Sequence, residues 1–328
     1  FKSWKKRHQN MRGFRYLDKS ISLFLWFLSL PDHMVLWVPF AVVRGMQIIR
    51  EHGIQTVYVS SPPHSTQLIG CLLKKFTGIR LIADFRDPIV GNVYDMSFKG
   101  TSLRSRIESR LKTSLERLIV AYADRIVVNT ETHRKELSER YGKDTFVTIR
   151  NSFDEDDYQA MDTRRYDTFT IAHVGGIYGL RQPDVLFRAV KRLELFRTFE
   201  QLRLHVIFVG LNEPYLMDGI TKYGVERYVK VLPMVSHHEA MEIMIRSHLL
   251  LLIKAIGPGS LGQIPGKFFE YMGSGNRILC IGPLESEVAG IMREVDAGYV
   301  VEDDENYLAE ALNNEYDYFI TGTTRRIT

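Results

Sequence analysis

The sequence has little cysteine and little net charge. Its 328 residues include only two cysteines, Cys71 and Cys280, and each lies in an apolar run. Two distant cysteines make no disulfide framework, so we predict buried thiols in a reducing, cytoplasmic compartment. Cysteine and histidine show no spacing typical of a metal site. The net charge of +4 does not indicate a dedicated nucleic-acid-binding protein.

The sequence also lacks an apolar run long enough to cross a bilayer. Residues 21–30 and 34–43 are largely apolar, but Pro31-Asp32-His33 separates them, and a membrane helix needs about 20 consecutive apolar residues. Six lysines and arginines precede the first acidic residue, Asp18. Such a stretch either forms buried helices or rests on an anionic membrane surface. The second alternative predicts peripheral contact at the inner face of the plasma membrane.

The length and the hydrophobic pattern predict two α/β domains. Apolar residues make up 45% of the chain, as in ordinary globular proteins. Short β-rich runs alternate with amphipathic segments over 56–150 and again over 169–302, which predicts parallel sheets covered by helices. The polar stretch between the two series predicts domains 1–160 and 161–328. Two doubly wound, Rossmann-like domains are expected to leave a ligand-binding cleft between them.

The richest candidate binding segment is 257–282, in which a glycine-rich loop separates a strand from a helix. A helix that starts near Pro265-Gly266 presents unpaired backbone amides and the positive end of its dipole, which suit a diphosphate. Lys267 adds a positive charge in the first turn. Glu270, one turn later, is placed to accept hydrogen bonds from ribose hydroxyls.

A second loop of the same shape ends an earlier strand. Gly175-Gly176 follow that strand, and Arg181 comes just before the next helix. Two such loops in one domain, each with one cation, predict a site for a nucleotide diphosphate.

Asp154, Asp156 and Asp157 look like the D-x-D metal motif of another fold, but their place between the two α/β series favours a solvated linker.

These motifs, in this order, resemble the GT-B-fold glycosyltransferases, in particular the large family 4 of retaining enzymes. Residues 264–279 (IPGKFFEYMGSGNRIL) resemble the donor signature of that family. Residues 172–193 resemble the opening strand, loop and helix of its C-terminal domain. Residues 57–90 are similar to a subgroup with S-S-P-P-x-S and D-F-R-D-P motifs. The resemblance covers roughly residues 35–315.

The resemblance implies a protein that moves a sugar from a nucleotide-diphosphate sugar to a glycan or lipid-linked acceptor. Retention of configuration and a role in cell-surface polysaccharide biosynthesis are expected, with no metal or other cofactor. Arg181 and Lys267 are candidate catalytic residues because they would stabilise the leaving diphosphate. Asp87 is the third, as a group that orients the acceptor hydroxyl.

The other candidates fall into a donor set and an acceptor set. The remaining donor-binding candidates are Gly175, Gly176, Ser260, Pro265, Gly266 and Glu270. The acceptor-side candidates are His64, Asp84 and Arg86. For these three a structural role is an equal alternative, either as a helix start or as an Asp–Arg pair that fixes the loop. Thr130, at another strand end, is expected to cap a helix.

The sequence departs from the family pattern at two places. The family usually carries an acidic residue eight positions before the helix glutamate, where this chain has Gly262; Ser260 or a backbone amide is the candidate replacement. The expected first strands do not precede residue 55, and the chain begins at Phe1, so we expect a longer native protein. The alternative functions are a non-hydrolysing nucleotide-sugar epimerase and a catalytically weak nucleotide-sugar-binding subunit.

Overall fold

The chain forms two compact units, Phe1–Ile149 and Arg150–Thr328. The computed structural model describes residues 26, 30–93, 95, 100–159, 161–179, 181–197, 202–211, 214–257, 259–323 and 325–327. The six basic residues before Asp18 and most of the apolar run 21–30 lie outside the described residues. Both alternatives for that stretch therefore stay predictions.

The first unit contains a four-stranded parallel sheet in the order β1-β2-β3-β4. The strands are β1 (Thr56–Ser61), β2 (Arg80–Phe85), β3 (Arg125–Val128) and β4 (Phe146–Thr148). The helices are α1 (Val38–His52), α2 (Thr66–Thr77), α3 (Leu103–Tyr122) and α4 (Glu131–Tyr141), and a short 3-10 helix, Val35–Trp37, precedes α1. Leu81, Ala83 and Phe85 of β2 are fully buried in its core.

The second unit contains a six-stranded parallel sheet in the order β10-β9-β8-β5-β6-β7. The strands are β5 (Phe169–Val174), β6 (Leu204–Val209), β7 (Val229–Leu232), β8 (Leu249–Ile253), β9 (Arg277–Ile281) and β10 (Gly298–Val301). The helices are α5 (Asp184–Phe196), α6 (Pro214–Tyr223), α7 (His237–Arg246), α8 (Gly266–Gly273), α9 (Glu287–Glu294) and α10 (Glu305–Ile320).

Helices cover both faces of this second sheet, because its strands are apolar on both sides. Ile171 packs into one buried cluster with residues of α5, α6 and α10. Ala172, its neighbour in β5, packs into another cluster with residues of α7, α8 and α9. The strand order reverses between β5 and β8, which makes the carboxyl ends of these two strands the switch point at which doubly wound sheets bind ligands. The predicted α/β class with two Rossmann-like units is confirmed.

The stretch between the two sheets packs against the second unit. The Tyr158 hydroxyl donates to the Glu270 carbonyl oxygen at 2.6 Å. Gly273 at the end of α8 lies so close to Phe153 and Tyr158 that a Cβ atom there would come within 2.6 Å of the Phe153 ring and of the Tyr158 hydroxyl oxygen. Residues 150–159 therefore belong with the second unit, whereas the predicted boundary at residue 160 places them with the first. Asp154 and its acidic neighbours are exposed, as expected of a linker.

Candidate functional site

The candidate donor site lies at the switch point of the second unit. β5 and β8 are adjacent and parallel, with Ile171 opposite Leu249 and Ala172 opposite Leu250. The loops that follow these strands carry the two predicted binding segments. The structure therefore brings the two segments to one edge of the sheet, although they are far apart in the sequence.

Gly175 and Lys267 are brought into direct proximity there. Gly175 has φ of 111°, in the left-handed region, and a Cβ atom at this position would lie 2.5 Å from Lys267 Nζ. Only glycine satisfies both requirements. Lys267, in the first turn of α8, extends its ammonium across this space, where Nζ lies 3.1 Å from Nε2 of His173.

Arg181 is held beside the same loop. Its side chain is buried, and the guanidinium carbon lies 4.5 Å from the centroid of the Tyr178 ring. One guanidinium nitrogen donates to the Gly176 carbonyl oxygen at 3.3 Å. The Tyr215 hydroxyl donates to the Arg181 carbonyl oxygen at 2.7 Å. These contacts fix the Arg181 guanidinium beside the loop that begins at Gly175.

The site concentrates positive charge in a poorly solvated place. Burial and, to a smaller extent, the charge of nearby Arg181 lower the pKa of Lys267 to about 7, although Glu270 acts in the opposite direction. Burial also lowers the pKa of Lys254, at the end of β8, to about 8, and Arg181 contributes there too. Neighbouring cations that disfavour one another are stabilised by an anion, so the electrostatics suit a bound diphosphate.

Two residues of this site were missed by sequence reasoning, His173 and Lys254. His173 in β5 is fully buried. Lys254 has 1% of its surface exposed, and its ammonium donates to the Gln263 carbonyl oxygen. His173 is the last residue but one of β5, in TIAHVGG, and Lys254 directly follows β8, in LLLLIKA. A polar residue at that point of a buried strand was the available signal.

The other donor-side candidates lie in the loop before α8 and in its first turns. Ser260 is buried, its amide donates to the Gly257 carbonyl oxygen at 3.1 Å, and its own carbonyl accepts from Gln263 at 3.2 Å. Pro265 has no side-chain cap to offer, and Gly266 is the first residue of α8. The first amides of a helix have no partner within it, so they are available to an anion. Glu270 is one turn further along α8.

In the first unit, the structure places the acceptor-side candidates at the carboxyl ends of β1 and β2. Asp84 is buried and accepts a hydrogen bond from the Ser60 hydroxyl at 2.7 Å. Its carbonyl oxygen accepts from the Ser61 hydroxyl at 3.2 Å and from the Gln67 amide at 3.1 Å. Asp84 thus ties the loop after β1 to β2.

The loop after β1 contains His64, and the residues that directly follow β2 are Arg86 and Asp87. Burial lowers the pKa of His64, as does Lys112, whereas Asp32, Asp87 and Asp95 act in the opposite direction.

Arg86 and Asp87 are exposed. The Arg86 carbonyl accepts from the Asn129 amide at 2.7 Å. Within the described residues Arg86 forms no ion pair with Asp84 or Asp87.

Two further observations concern metals and membranes. Across the described part of the chain, no three or more histidine, cysteine, aspartate or glutamate side chains are grouped so that they could hold a metal ion. None of the described helices has the length and apolarity needed to span a bilayer.

The curated proteins to which this chain is similar include glycosyltransferases. No protein-family profile matches the chain. The D-inositol 3-phosphate glycosyltransferase of Streptosporangium roseum is 31% identical over 192 residues, which is 52% of this chain and 42% of that protein. The chain thus spans less than half the length of this curated relative.

Solved structures of low sequence identity share the fold. Anabaena Alr3699/HepE in complex with UDP superposes with a TM-score of 0.63 at 15% identity, covering 86% of this chain and 74% of that one. WaaG, a glycosyltransferase involved in lipopolysaccharide biosynthesis, gives a TM-score of 0.56 at 15% identity, covering 85% and 87%. At such identities the likeness concerns the fold, which is that of GT-B proteins.

Proposed function

Because this chain is similar to curated glycosyltransferases in sequence and to GT-B glycosyltransferases in fold, we propose that it transfers a sugar from a nucleotide-diphosphate sugar to a glycan or lipid-linked acceptor. The observation that carries the proposal is the meeting of Arg181 and Lys267 at the switch point of the second sheet. HepE was solved in complex with UDP and with UDP-glucose. Such a ligand carries the anion that these two cations would favour.

The chemistry follows from charge. When the bond between the anomeric carbon and the diphosphate oxygen breaks, the bonding electrons remain on the diphosphate. Arg181, Lys267 and the first amides of α8 would stabilise this charge as it develops. Glu270 would hold the ribose, and Asp87 would orient the acceptor hydroxyl. We propose retention of configuration: the acceptor oxygen bonds to the anomeric carbon on the face from which the diphosphate departs, and the hydroxyl proton passes to the departing diphosphate oxygen.

The proposed reaction needs no metal ion, because the two cations and the start of α8 neutralise the diphosphate. Transfer is therefore expected to continue at an unchanged rate after exhaustive treatment with EDTA. A rate that falls with EDTA and returns with Mg²⁺ or Mn²⁺ would show that this part of the proposal is wrong.

The direct test uses purified protein, labelled UDP-sugars and a membrane extract that contains lipid-linked glycans. Arg181→Ala and Lys267→Ala are each expected to lower kcat/KM by about 100-fold or more, because each removes a positive charge that stabilises the leaving diphosphate. Lys191→Ala is the matched control, since Lys191 is an exposed cation on α5 that pairs with Glu194. Equal rates in all four proteins would contradict the site assignment.

The same assay separates the alternative functions. Interconversion of free nucleotide sugars without transfer would indicate an epimerase. Binding without any turnover would indicate a nucleotide-sugar-binding subunit, the alternative that Gly262 favours because it stands where an acidic residue is expected. Transfer to lipid or glycan supports the proposal. Since WaaG is named for lipopolysaccharide biosynthesis, cell-surface polysaccharide assembly is the proposed setting.

We further propose peripheral contact with the inner face of the plasma membrane. Leu36, Trp37 and Phe40, around the start of α1, are 60%, 51% and 73% exposed. The six basic residues before Asp18 provide positive charge for an anionic surface. Both cysteines are free and buried, which fits a reducing cytoplasm.

Sedimentation with vesicles tests the membrane contact. The wild-type protein is expected to bind vesicles that contain phosphatidylglycerol. The double variant Trp37→Ser/Phe40→Ser is expected to bind them more weakly. Leu195→Ser, at another exposed apolar position, is the control. Equal sedimentation of all three proteins would remove this part of the proposal.

A further inference from the structure

His173 occupies a buried position between β8 and Lys267. Its side chain is fully buried in β5. Nδ1 lies 2.8 Å from the Leu251 carbonyl oxygen of β8, and Nε2 lies 3.1 Å from Lys267 Nζ. The imidazole therefore bridges the two strands of the switch point and the first turn of α8.

The two contacts determine how the ring is protonated. A carbonyl oxygen only accepts hydrogen bonds, so Nδ1 carries the hydrogen and donates it to Leu251. Nε2 then holds a lone pair and accepts from the Lys267 ammonium. Burial, together with the charges of Lys267 and Arg181, lowers the pKa of His173 well below its ordinary value and keeps the ring neutral, although hydrogen bonds to the Leu251 and Gly176 backbone act in the opposite direction.

We propose that His173 is a positioning residue that holds the Lys267 ammonium where the diphosphate is to bind. The inference rests on the proposed donor site and adds a residue to it. Lys267 requires such a partner because a lysine side chain is long and flexible, and because nearby Arg181 repels its charge. Gly175 leaves the space, and the neutral ring supplies an acceptor within it.

Two substitutions of His173 test its two hydrogen bonds separately. In His173→Asn the shorter amide retains a donor near Leu251 but has no acceptor that reaches Lys267. In His173→Gln the longer side chain places a carbonyl oxygen near the former Nε2 position. By calorimetry, we expect the affinity for UDP to fall by about tenfold in the Asn variant and to recover to within about threefold of wild type in the Gln variant.

A double-mutant cycle separates positioning from general structural support. If His173 acts through Lys267, then His173→Asn costs no further affinity for UDP in a Lys267→Met background. If His173 only supports the fold, then Asn and Gln weaken UDP binding alike, and His173→Asn weakens it equally in both backgrounds. The second result would overturn the inference.

Nitrogen NMR of the histidine rings tests the contact without a ligand. The His173 signals are expected to show a protonated Nδ1 and an unprotonated Nε2, and the Nε2 signal is expected to move in Lys267→Met. An Nε2 signal that stays in place would overturn the inference, even if UDP binds normally. Wild-type protein that binds neither UDP nor pyrophosphate would instead overturn the proposed function, while the NMR result still decides the contact.

Discussion

Lys267 is charged in an environment that disfavours its charge. Its pKa of about 7 in the free protein rises when an anion binds beside it, so binding takes up a proton. Below pH 7 the ammonium is already present. Above pH 7 protonation must accompany binding, and the affinity for UDP is expected to fall by up to about tenfold per pH unit.

Calorimetry checks this prediction between pH 7 and 9 in two buffers of different ionisation enthalpy, which reports the proton uptake directly. Lys254→Met is the control, because it removes the other lysine with a lowered pKa near Arg181. Because Lys254→Met is itself expected to weaken UDP binding, the proteins are compared by the number of protons taken up for each UDP bound. Uptake that persists in Lys254→Met and is lost in Lys267→Met belongs to Lys267. An affinity that is independent of pH over this range would contradict the expected linkage.

Gly175 is needed for space as well as for conformation. In Gly175→Ala the new methyl group would displace the Lys267 ammonium, and alanine would have to adopt a left-handed φ. We expect a loss of about tenfold or more in affinity for UDP and about 1–2 kcal/mol in the free energy of unfolding. Gly290→Ala in α9 is the control, since it meets no atom within 4 Å; it is expected to be neutral or stabilising.

At the residue scale the sequence predicted the candidate site only in part. Gly175, Arg181 and Lys267 were found because each lies in a loop with a recognisable pattern. His173 and Lys254 were not, because their importance depends on contacts that arise only when β5, β8 and α8 come together. A buried histidine in a strand has the same local sequence whether or not a lysine reaches it.

The loop between β8 and α8 is anchored at two points. The Lys254 ammonium donates to the Gln263 carbonyl oxygen, and the Leu261 carbonyl accepts from the Glu287 amide at 2.9 Å. Lys254→Met is expected to loosen the first anchor and to weaken UDP binding by about tenfold.

The same substitution changes how stability depends on pH. The pKa of Lys254 is about 8 in the fold and about 10.5 in the unfolded chain, so between these values the unfolded chain binds more protons. The free energy of unfolding should therefore rise with pH over this window, and Lys254→Met should reduce the rise. Urea denaturation at pH 7, 8, 9 and 10 measures both slopes, and parallel slopes would show the prediction to be wrong.

Asn276 joins α7 to the start of β9. Its amide nitrogen lies 2.8 Å from the Met244, 2.9 Å from the Ile245 and 3.0 Å from the Ser247 carbonyl oxygens. Asn276→Ala leaves these buried groups unpaired and is expected to destabilise the second unit by about 2–3 kcal/mol. Asn306→Ala, on an exposed turn of α10, is the control. Chemical denaturation followed by circular dichroism gives the difference, and equal stability of the two variants would contradict the role of Asn276.

Helix and strand positions followed closely from local sequence. Thr130 caps the helix Glu131–Tyr141 as predicted, accepting from the His133 amide at 3.3 Å, and Gly142 ends that helix in the left-handed conformation. Strand β4 ends at Thr148, two residues before the end of the first predicted α/β series at residue 150. Arg150 instead pairs with Glu287 of the second unit at 2.9 Å, a contact that no local pattern reveals.

At the scale of the whole molecule, the proposed donor contacts all fall within Arg150–Thr328. UDP is therefore expected to stabilise that unit selectively, by about 2.7 kcal/mol at 100 times its Kd. Hydrogen exchange read by mass spectrometry checks this in the intact chain. Protection that increases equally in Phe1–Ile149 would show that the ligand stabilises both units. Lys267→Met with UDP is the control and is expected to show no gain.

The division of the chain was predicted less well than its elements. The acidic stretch after β4 looks like a linker, because its aspartates and glutamate are solvated. Phe153 and Tyr158, however, pack against Gly273 and the Glu270 carbonyl. Two aromatic contacts were enough to attach the stretch to the second unit, and hydrophobic patterning alone does not identify their partner.

The pairing of β5 with β8 at the switch point involves fewer residues than any other strand pairing in the second sheet. β5 pairs with β6 along six residues but with β8 at only two positions. This pairing joins β10-β9-β8 to β5-β6-β7, and the two cation-bearing loops leave it from opposite sides. A nucleotide bound to both loops would therefore link the two halves of the sheet and slow their transient separation. The mechanical rigidity of the domain would then depend on its substrate.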